Sequence, residues 1–92
     1  MTVEVKFFAN FREIAGEKKI NVSADNIREL LKGIVEDYGG LEEQIFANPE
    51  TEELTDFVTI LVNGRSIDTL NGLDTELNEN DTVAIFPPVS GG

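Results

Sequence analysis

The sequence contains neither cysteine nor histidine. Without cysteine, the chain has no disulfide framework, no thiolate nucleophile and no sulfur ligands for a metal ion. Without histidine, it lacks the usual general base and the commonest metal ligand. We therefore expect no bound metal. Any chemistry must come from carboxylates, hydroxyls, the backbone or the chain termini, or be supplied by a partner.

Long apolar runs and basic residues are also scarce. No stretch approaches the ~20 apolar residues that span a bilayer. The opening MTVEVKFF lacks the basic start and the cleavage site of a signal peptide. These features predict a cytoplasmic protein that does not bind membranes.

The charge balance is strongly acidic, with 7 Lys and Arg against 18 Asp and Glu and a formal net charge of −11. Such a chain repels phosphate backbones, which argues against nucleic-acid binding. The acidity favours docking on a positively charged protein surface, or equally solubility in a saline cytosol. Charge alone does not decide between these interpretations.

The 92 residues, 40% of them hydrophobic, fit one small globular domain. Val3, Val5 and Phe7 alternate with other residues, which predicts a strand with one buried face. The stretch FREIAGE, with Gly16 as its turn residue, follows as an irregular loop. Residues 18–22 then form a second strand, which predicts an antiparallel hairpin.

The clearest helix follows this hairpin. Its apolar stripe recurs at helical spacing and consists of Ile27, Leu30, Leu31, Ile34, Val35 and Tyr38. Ser23 or Asp25 is predicted to cap its N-terminus, and Gly39 and Gly40 its C-terminus in a left-handed conformation. The opposite face is predicted to be solvated and carries Arg28, Glu29, Lys32 and Glu36.

Residues 41–56 are acidic and weakly patterned. Leu41, Ile45 and Phe46 predict a short helix that ends at residues 48–50. The remainder is predicted to be a surface loop whose glutamates are solvated.

The second half of the chain is predicted to consist mainly of strands. FVTILVN, residues 57–63, is the strongest of them, and Asn63-Gly64 favours a tight hairpin turn because both positions tolerate positive φ. A short return strand is predicted over 66–70, one helical turn around 74–77, and a last strand over 82–86 ended by prolines. The order β-β-α-β-β-β predicts an α+β layer pair: one main helix on one face of a mixed sheet, with the first and last strands in the middle.

The alternation leaves apolar residues on the face that the helix does not cover. They are Phe8, Leu61, Ala84 and Phe86. An exposed contiguous apolar patch is typical of a binding site. The alternative is that segment 41–56 covers this face, or that scattered exposed apolar residues need no explanation.

The last residues, PPVSGG, predict an extended tail over 87–92 that follows a domain over 1–86. Pro87 and Pro88 fix φ and direct the chain away from the sheet. Val89 and Ser90 are modest in size, and Gly91 and Gly92 have no side chain, so the segment can enter a narrow tunnel. The α-carboxylate of Gly92 is ionised at neutral pH and can attack the α-phosphate of ATP to give an acyl-adenylate.

These motifs resemble the ubiquitin-like sulfur carriers of the MoaD and ThiS family. VEVKFFANFREIAGEKK is similar to the family's opening, VTILVNGRSID to its central hairpin, and LDTELNENDTVAIFPPVSGG to its closing pattern, which is the specific signal. The length and the extra segment 41–56 resemble MoaD more than ThiS.

The resemblance implies a β-grasp, ubiquitin-like fold. It implies that a MoeB-like adenylating enzyme related to the ubiquitin-activating class consumes ATP to adenylate Gly92, which becomes a thiocarboxylate. The tail, Pro87 to Gly91, would then enter a MoaE-like large subunit and give its sulfur to cyclic pyranopterin monophosphate, forming molybdopterin. The family's partner-binding face would fall on Phe8, Leu61 and Phe86. The chain itself binds no cofactor in this scheme and leaves catalysis to its partners.

Three other functions remain open from the sequence. The chain could be a protein modifier joined through Gly92 to lysines of target proteins. It could deliver sulfur for tRNA thiolation by the same chemistry. It could also be an interaction domain that uses the apolar face and has an inert tail.

Overall fold

The computed structural model describes residues 1–48 and 50–88 of the chain. Its strands are β1 (Thr2–Phe7), β2 (Lys19–Ser23), β3 (Phe46–Asn48), β4 (Glu53–Leu54), β5 (Thr59–Val62), β6 (Arg65–Ser66) and β7 (Thr82–Phe86). Its α-helices are α1 (Ala9–Ala15), α2 (Ile27–Asp37) and α3 (Glu42–Ile45), and its 3-10 turns are Gly39–Leu41, Ile67–Thr69 and Gly72–Asp74. Within these described ranges, the helices are all too short or too polar to cross a membrane.

Five strands form one mixed sheet in the order β2-β1-β7-β5-β6. The outer pairings are antiparallel, whereas β1 and β7 run parallel to each other in the middle of the sheet. The predicted α+β layer pair and the central position of the first and last strands are confirmed. A separate two-stranded ribbon is formed by β3 and β4.

The core lies between one face of this sheet and α2. Four residues of the predicted stripe, Ile27, Leu30, Leu31 and Ile34, are at most 1% exposed, and Val35 and Tyr38 pack at its margin. The inward residues of the central strands are equally buried: Val3, Val5, Phe7, Val83 and Ile85. The strand and helix periodicities therefore predicted the core correctly.

The connection between β1 and β2 is more ordered than the predicted irregular loop. It contains α1, which buries Phe11 completely. The helix ends at Gly16 with φ 73°, where the Gly16 N–H donates to the Arg12 carbonyl over 2.8 Å. Gly16 is thus a left-handed C-cap that only a residue tolerant of positive φ fills without strain.

Both predicted caps of α2 are wrong. The N-cap is Asn26, whose Oδ1 accepts from the Glu29 N–H over 2.8 Å, rather than Ser23 or Asp25. At the other end, Tyr38 closes the helix and a 3-10 turn continues through Gly39. A Cβ at Gly40 would lie 3.0 Å from Ile14 Cγ2, so any side chain at this position requires Ile14 to shift.

Residues 41–56 form structure that the sequence did not predict. The predicted short helix is present as α3, with Leu41 and Ile45 buried, but it ends at Ile45 rather than at residues 48–50. Phe46 begins the β3–β4 ribbon, which takes the place of the predicted loop. Glu52 is not solvated as predicted: its carboxylate lies 3.1 Å from Arg28 Nε and 2.8 Å from Lys32 Nζ. Arg28 also pairs with Asp74. The predicted solvated face of α2 therefore holds the 41–56 segment in place.

The second hairpin is shorter than predicted. β5 begins at Thr59 rather than at Phe57, whose side chain is 66% exposed. Asn63 and Gly64 have φ of 50° and 86°, which confirms the tight turn. The return strand β6 has only 2 residues before a 3-10 turn, and the later helical turn lies at 72–74 instead of 74–77.

Candidate docking face and C-terminal tail

The four predicted face residues meet on the side of the sheet opposite α2. Phe8, Leu61, Ala84 and Phe86, together with Ala9 and Pro87, line one shallow cavity of about 500 Å³. Its wall is almost wholly apolar. The structure therefore places every apolar residue assigned to this face from the sequence beside the others.

Strand register explains why three of these residues come together. Leu61 in β5 lies directly opposite Ala84 in β7, and direct cross-strand partners share a face. Phe86 follows Ala84 by two positions, so it lies on the same side of the strand. The intervening Ile85 is fully buried on the helix side.

Phe8 reaches the face by a different route from the one the alternation predicted. β1 ends at Phe7, and Phe8 is the N-cap residue of α1. Its N–H donates to the Ile85 carbonyl over 3.1 Å, and its own carbonyl accepts from the N–H groups of Phe11 and Arg12. This backbone anchoring fixes where the Phe8 ring leaves the chain.

The apolar face is open to solvent in the described structure. Phe8 is 39% exposed, and Leu61, Ala84 and Phe86 are half-buried. The alternative that segment 41–56 covers it is wrong, because that segment is held against α2 by Glu52 and lines a different part of the surface.

The tail begins at this face. Pro87 is half-buried and forms part of the cavity wall, whereas Pro88 is exposed. The remaining predicted tail residues, Val89, Ser90, Gly91 and Gly92, lie outside the described residues. Their roles stay predictions.

A basic cavity adjoins the apolar face and was not predicted from the sequence. It has a volume of about 300 Å³ and is lined by Lys6, Phe7, Phe8, Arg12, Lys18 and Lys19. The Arg12 guanidinium lies 5.8 Å from the centre of the Phe8 ring, within cation–π range. Phe8 therefore lines both the apolar cavity and the basic one.

The described residues offer no group of three His, Cys, Asp or Glu side chains able to hold a metal ion. The shifted ionisations that the structure resolves lie away from the apolar face. The pKa of Glu52 is lowered, chiefly because the Lys32 ammonium lies 2.8 Å from its carboxylate. The pKa of Arg28 is raised, chiefly by its hydrogen bond to Asp74.

The strand order, the parallel central pair and the single long helix are those of the β-grasp fold of ubiquitin-like proteins. The ThiS family model matches residues 5–92. The chain belongs to this family of ubiquitin-like sulfur carriers.

Three relatives illustrate the range of the family. Small archaeal modifier protein 3 of Haloferax volcanii is 37% identical over alignments covering 100% of both chains. The solution structure of small archaeal modifier protein 1 from Methanosarcina acetivorans superposes with a TM-score of 0.88 at 37% identity, covering 99% of this chain and 96% of that one. A complex of subunits 1 and 2 of the molybdopterin-converting factor from Helicobacter pylori contains a chain that matches with a TM-score of 0.65 at 29% identity, covering 100% of both.

Proposed function

We propose that this protein carries sulfur as a thiocarboxylate on Gly92. The Gly92 carboxylate attacks the α-phosphorus of ATP in an adenylating enzyme, and pyrophosphate leaves. A sulfur nucleophile then attacks the acyl carbon, and AMP leaves. The observation that carries this proposal is the family match, which continues through residue 92.

The apolar face supports the proposal because a sulfur donor without catalytic groups of its own needs a surface on which a catalytic partner can dock. Pro87 belongs both to the wall of the apolar cavity and to the start of the tail. A partner that covers Phe8, Leu61 and Phe86 is therefore positioned to receive the tail. Exposed apolar patches of this kind are typical of protein–protein interfaces.

Mass spectrometry of the intact chain tests the carrier step. The chain is incubated with a MoeB-like adenylating enzyme, MgATP and sulfide. We expect the mass gain of one oxygen-to-sulfur exchange, localised to the terminal peptide. The matched control lacks Gly91 and Gly92 and should gain no mass. An unmodified wild-type chain under conditions in which the enzyme modifies its own known carrier would contradict the proposal.

For the acceptor, we propose cyclic pyranopterin monophosphate, with this protein as the small subunit of a molybdopterin synthase and a MoaE-like protein as the large one. The full-length match to a chain of the H. pylori two-subunit complex supports this assignment. The test combines thiocarboxylated protein, the MoaE-like subunit and the pterin precursor. Formation of the dithiolene is expected; its absence, with sulfur retained on Gly92, would rule out this acceptor.

A second candidate is a protein modifier joined through Gly92 to target lysines. It is favoured by the 37% identity to a relative named as a small archaeal modifier protein. Here an amine, rather than sulfide, attacks the adenylated or thioester-linked glycine. Peptide mapping of cells that express a tagged chain should reveal lysines of other proteins joined to the C-terminal peptide of this chain, which after tryptic cleavage at Arg65 comprises residues 66–92. No such linkage should appear in cells that express the chain lacking Gly91 and Gly92. Sulfur delivery for tRNA thiolation would instead appear as loss of thiolated tRNA in cells whose only copy of this chain lacks Gly91 and Gly92.

A further inference from the structure

A single row of residues crosses the open face of the sheet, and its side chains change from basic to apolar along the row. Lys19 lies opposite Lys6, Lys6 opposite Ala84, and Ala84 opposite Leu61. Because direct cross-strand partners share a face, two lysines and two apolar residues stand in line. The basic cavity and the apolar face are thus continuous parts of one surface.

Four cations lie close together at one end of this surface, which we call the basic corner. Lys6, Arg12, Lys18 and Lys19 line the basic cavity, although the whole chain has 7 Lys and Arg and a net charge of −11. Arg28 and Lys32 lie elsewhere and form ion pairs with Glu52. The corner beside Phe8 is therefore a local positive site on an acidic molecule.

Only part of this positive charge is compensated. The Glu4 carboxylate lies 3.8 Å from Lys6 Nζ and 3.6 Å from Lys19 Nζ. Arg12 and Lys18 form no ion pair within residues 1–48 and 50–88. Among the residues that the structure describes, four cations at the corner stand against one paired carboxylate, so the corner can attract an anionic group.

We propose that this basic corner docks an acidic segment of the protein that covers the apolar face, with partner carboxylates over Lys6, Lys18 and Lys19. The inference rests on the proposed function, because the partner is the protein that acts on the tail. Most of this chain's surface repels an acidic segment, and this corner attracts it. The contact therefore fixes the orientation in which the partner meets the tail, since complementary charge acts mainly on encounter and orientation.

The first experiment compares two charge reversals of equal size in the adenylation assay. Lys18→Glu removes a cation from the corner, and Arg65→Glu makes the same change in net charge on β6, away from it. At about 0.1 M salt we expect Lys18→Glu to raise the KM for this chain roughly 5–10-fold with kcat unchanged. Arg65→Glu should stay within about twofold of the wild type. The difference should vanish near 1 M salt, where the screening length falls to about 3 Å.

Equal KM values for the two variants would overturn the inference while leaving the sulfur-carrier proposal standing. Failure of the wild type to be adenylated would instead contradict the proposed function.

A second measurement then still tests the docking site. The ¹⁵N-labelled chain is titrated with an Asp/Glu-rich peptide that carries one leucine, and with a control peptide in which Asn and Gln replace Asp and Glu. The acidic peptide should shift the amides of Phe8, Lys18 and Lys19, and Lys18→Glu should abolish the shifts.

Two further outcomes of these titrations would overturn the inference. Equal shifts with the same concentration of inorganic phosphate would make the corner a general anion site. A concentration-dependent dimer of the free chain that Lys18→Glu dissociates would make a second copy the occupant.

Discussion

The Phe8 ring stands edge-on to the Phe86 ring, with centroids 6.1 Å apart and planes at 89°. One ring comes from the start of α1 and the other from the end of β7, so the contact joins two distant parts of the chain. Edge-to-face pairs of this kind contribute beyond their buried area. Both rings also line the apolar cavity.

The apolar face should be tested by removing one ring. We predict that Phe8→Ala weakens binding of the adenylating enzyme by roughly 2 kcal/mol, about 30-fold in KM, because aromatic anchors near the centre of an interface carry most of its energy. The matched control is Phe57→Ala, which removes the most exposed phenylalanine from a different surface. Both variants should unfold within a few degrees of the wild type. Equal KM values for the two would contradict the assignment of the face.

The ion pairs of Glu52 predict a pH dependence of stability. The pKa of Glu52 is lowered from 4.5, first by its close ion pair with Lys32 and also by the charge of Arg28, against partial burial. A carboxyl with a depressed folded-state pKa stabilises the fold above its unfolded value and loses that contribution as the pH falls through the folded value.

Urea unfolding between pH 7 and pH 3 measures this effect. Glu52→Gln should be less stable than the wild type at pH 7, and the two should converge below the ordinary glutamate range. Glu53→Gln changes the adjacent exposed carboxyl in β4 and should follow the wild-type profile. A constant gap between Glu52→Gln and the wild type at every pH would show that the side chain acts through packing instead of charge.

Helix α1 should prove to be part of the core. Phe11→Ala removes a completely buried ring, and such truncations cost about 3–5 kcal/mol. Ile14→Ala, on the same helix but 40% exposed, should cost about 1 kcal/mol or less. Chemical denaturation of both variants decides the point. Similar small losses for the two would mean that α1 packs only loosely.

Two glycines should respond to alanine with opposite signs. Gly33 lies inside α2, and a Cβ there would be in ordinary contact, 3.9 Å from Val22 Cγ1. Gly33→Ala should therefore stabilise the fold by about 0.5–1 kcal/mol. Gly64 has φ of 86° in the β5–β6 turn, where alanine is strained by about 1–2 kcal/mol. Thermal unfolding should move the midpoint up for Gly33→Ala and down for Gly64→Ala; shifts of the same sign would refute the comparison.

The apolar face could be predicted from the sequence because it depends on the period of a strand. Leu61 lies between Ile60 and Val62, and Ala84 between Val83 and Ile85, so their side is fixed once the buried side is known. No knowledge of which strands are neighbours is needed. The period-2 pattern therefore located the face correctly, even though Phe8 belongs to a helix cap.

The basic corner could not be predicted in the same way. Lys6 and Lys19 lie beside Ala84 only because β1 pairs with both β2 and β7 in one particular register. Register follows from tertiary packing, which a single sequence does not display.

The wrong prediction of the α2 N-cap has a similar cause. Ser23, Asp25 and Asn26 all have capping side chains. The choice of Asn26 coincides with contacts from a distant segment, since Asn26 bridges to Glu76 and the Ile27 N–H donates to the Thr75 carbonyl.

The parallel pairing of β1 with β7 has a consequence for how the protein folds during its synthesis. Glu4 lies beside Thr82 and Phe7 beside Ile85, so the middle of the sheet joins segments almost a whole chain length apart. Such distant pairings form late and slowly. During synthesis, the sheet stays split until β7 has left the ribosome, with unpaired strand edges on either side. A product truncated before β7 thus lacks both the completed sheet and the tail, so under the proposed function a partner that acts on Gly92 meets only chains in which β7 has been made.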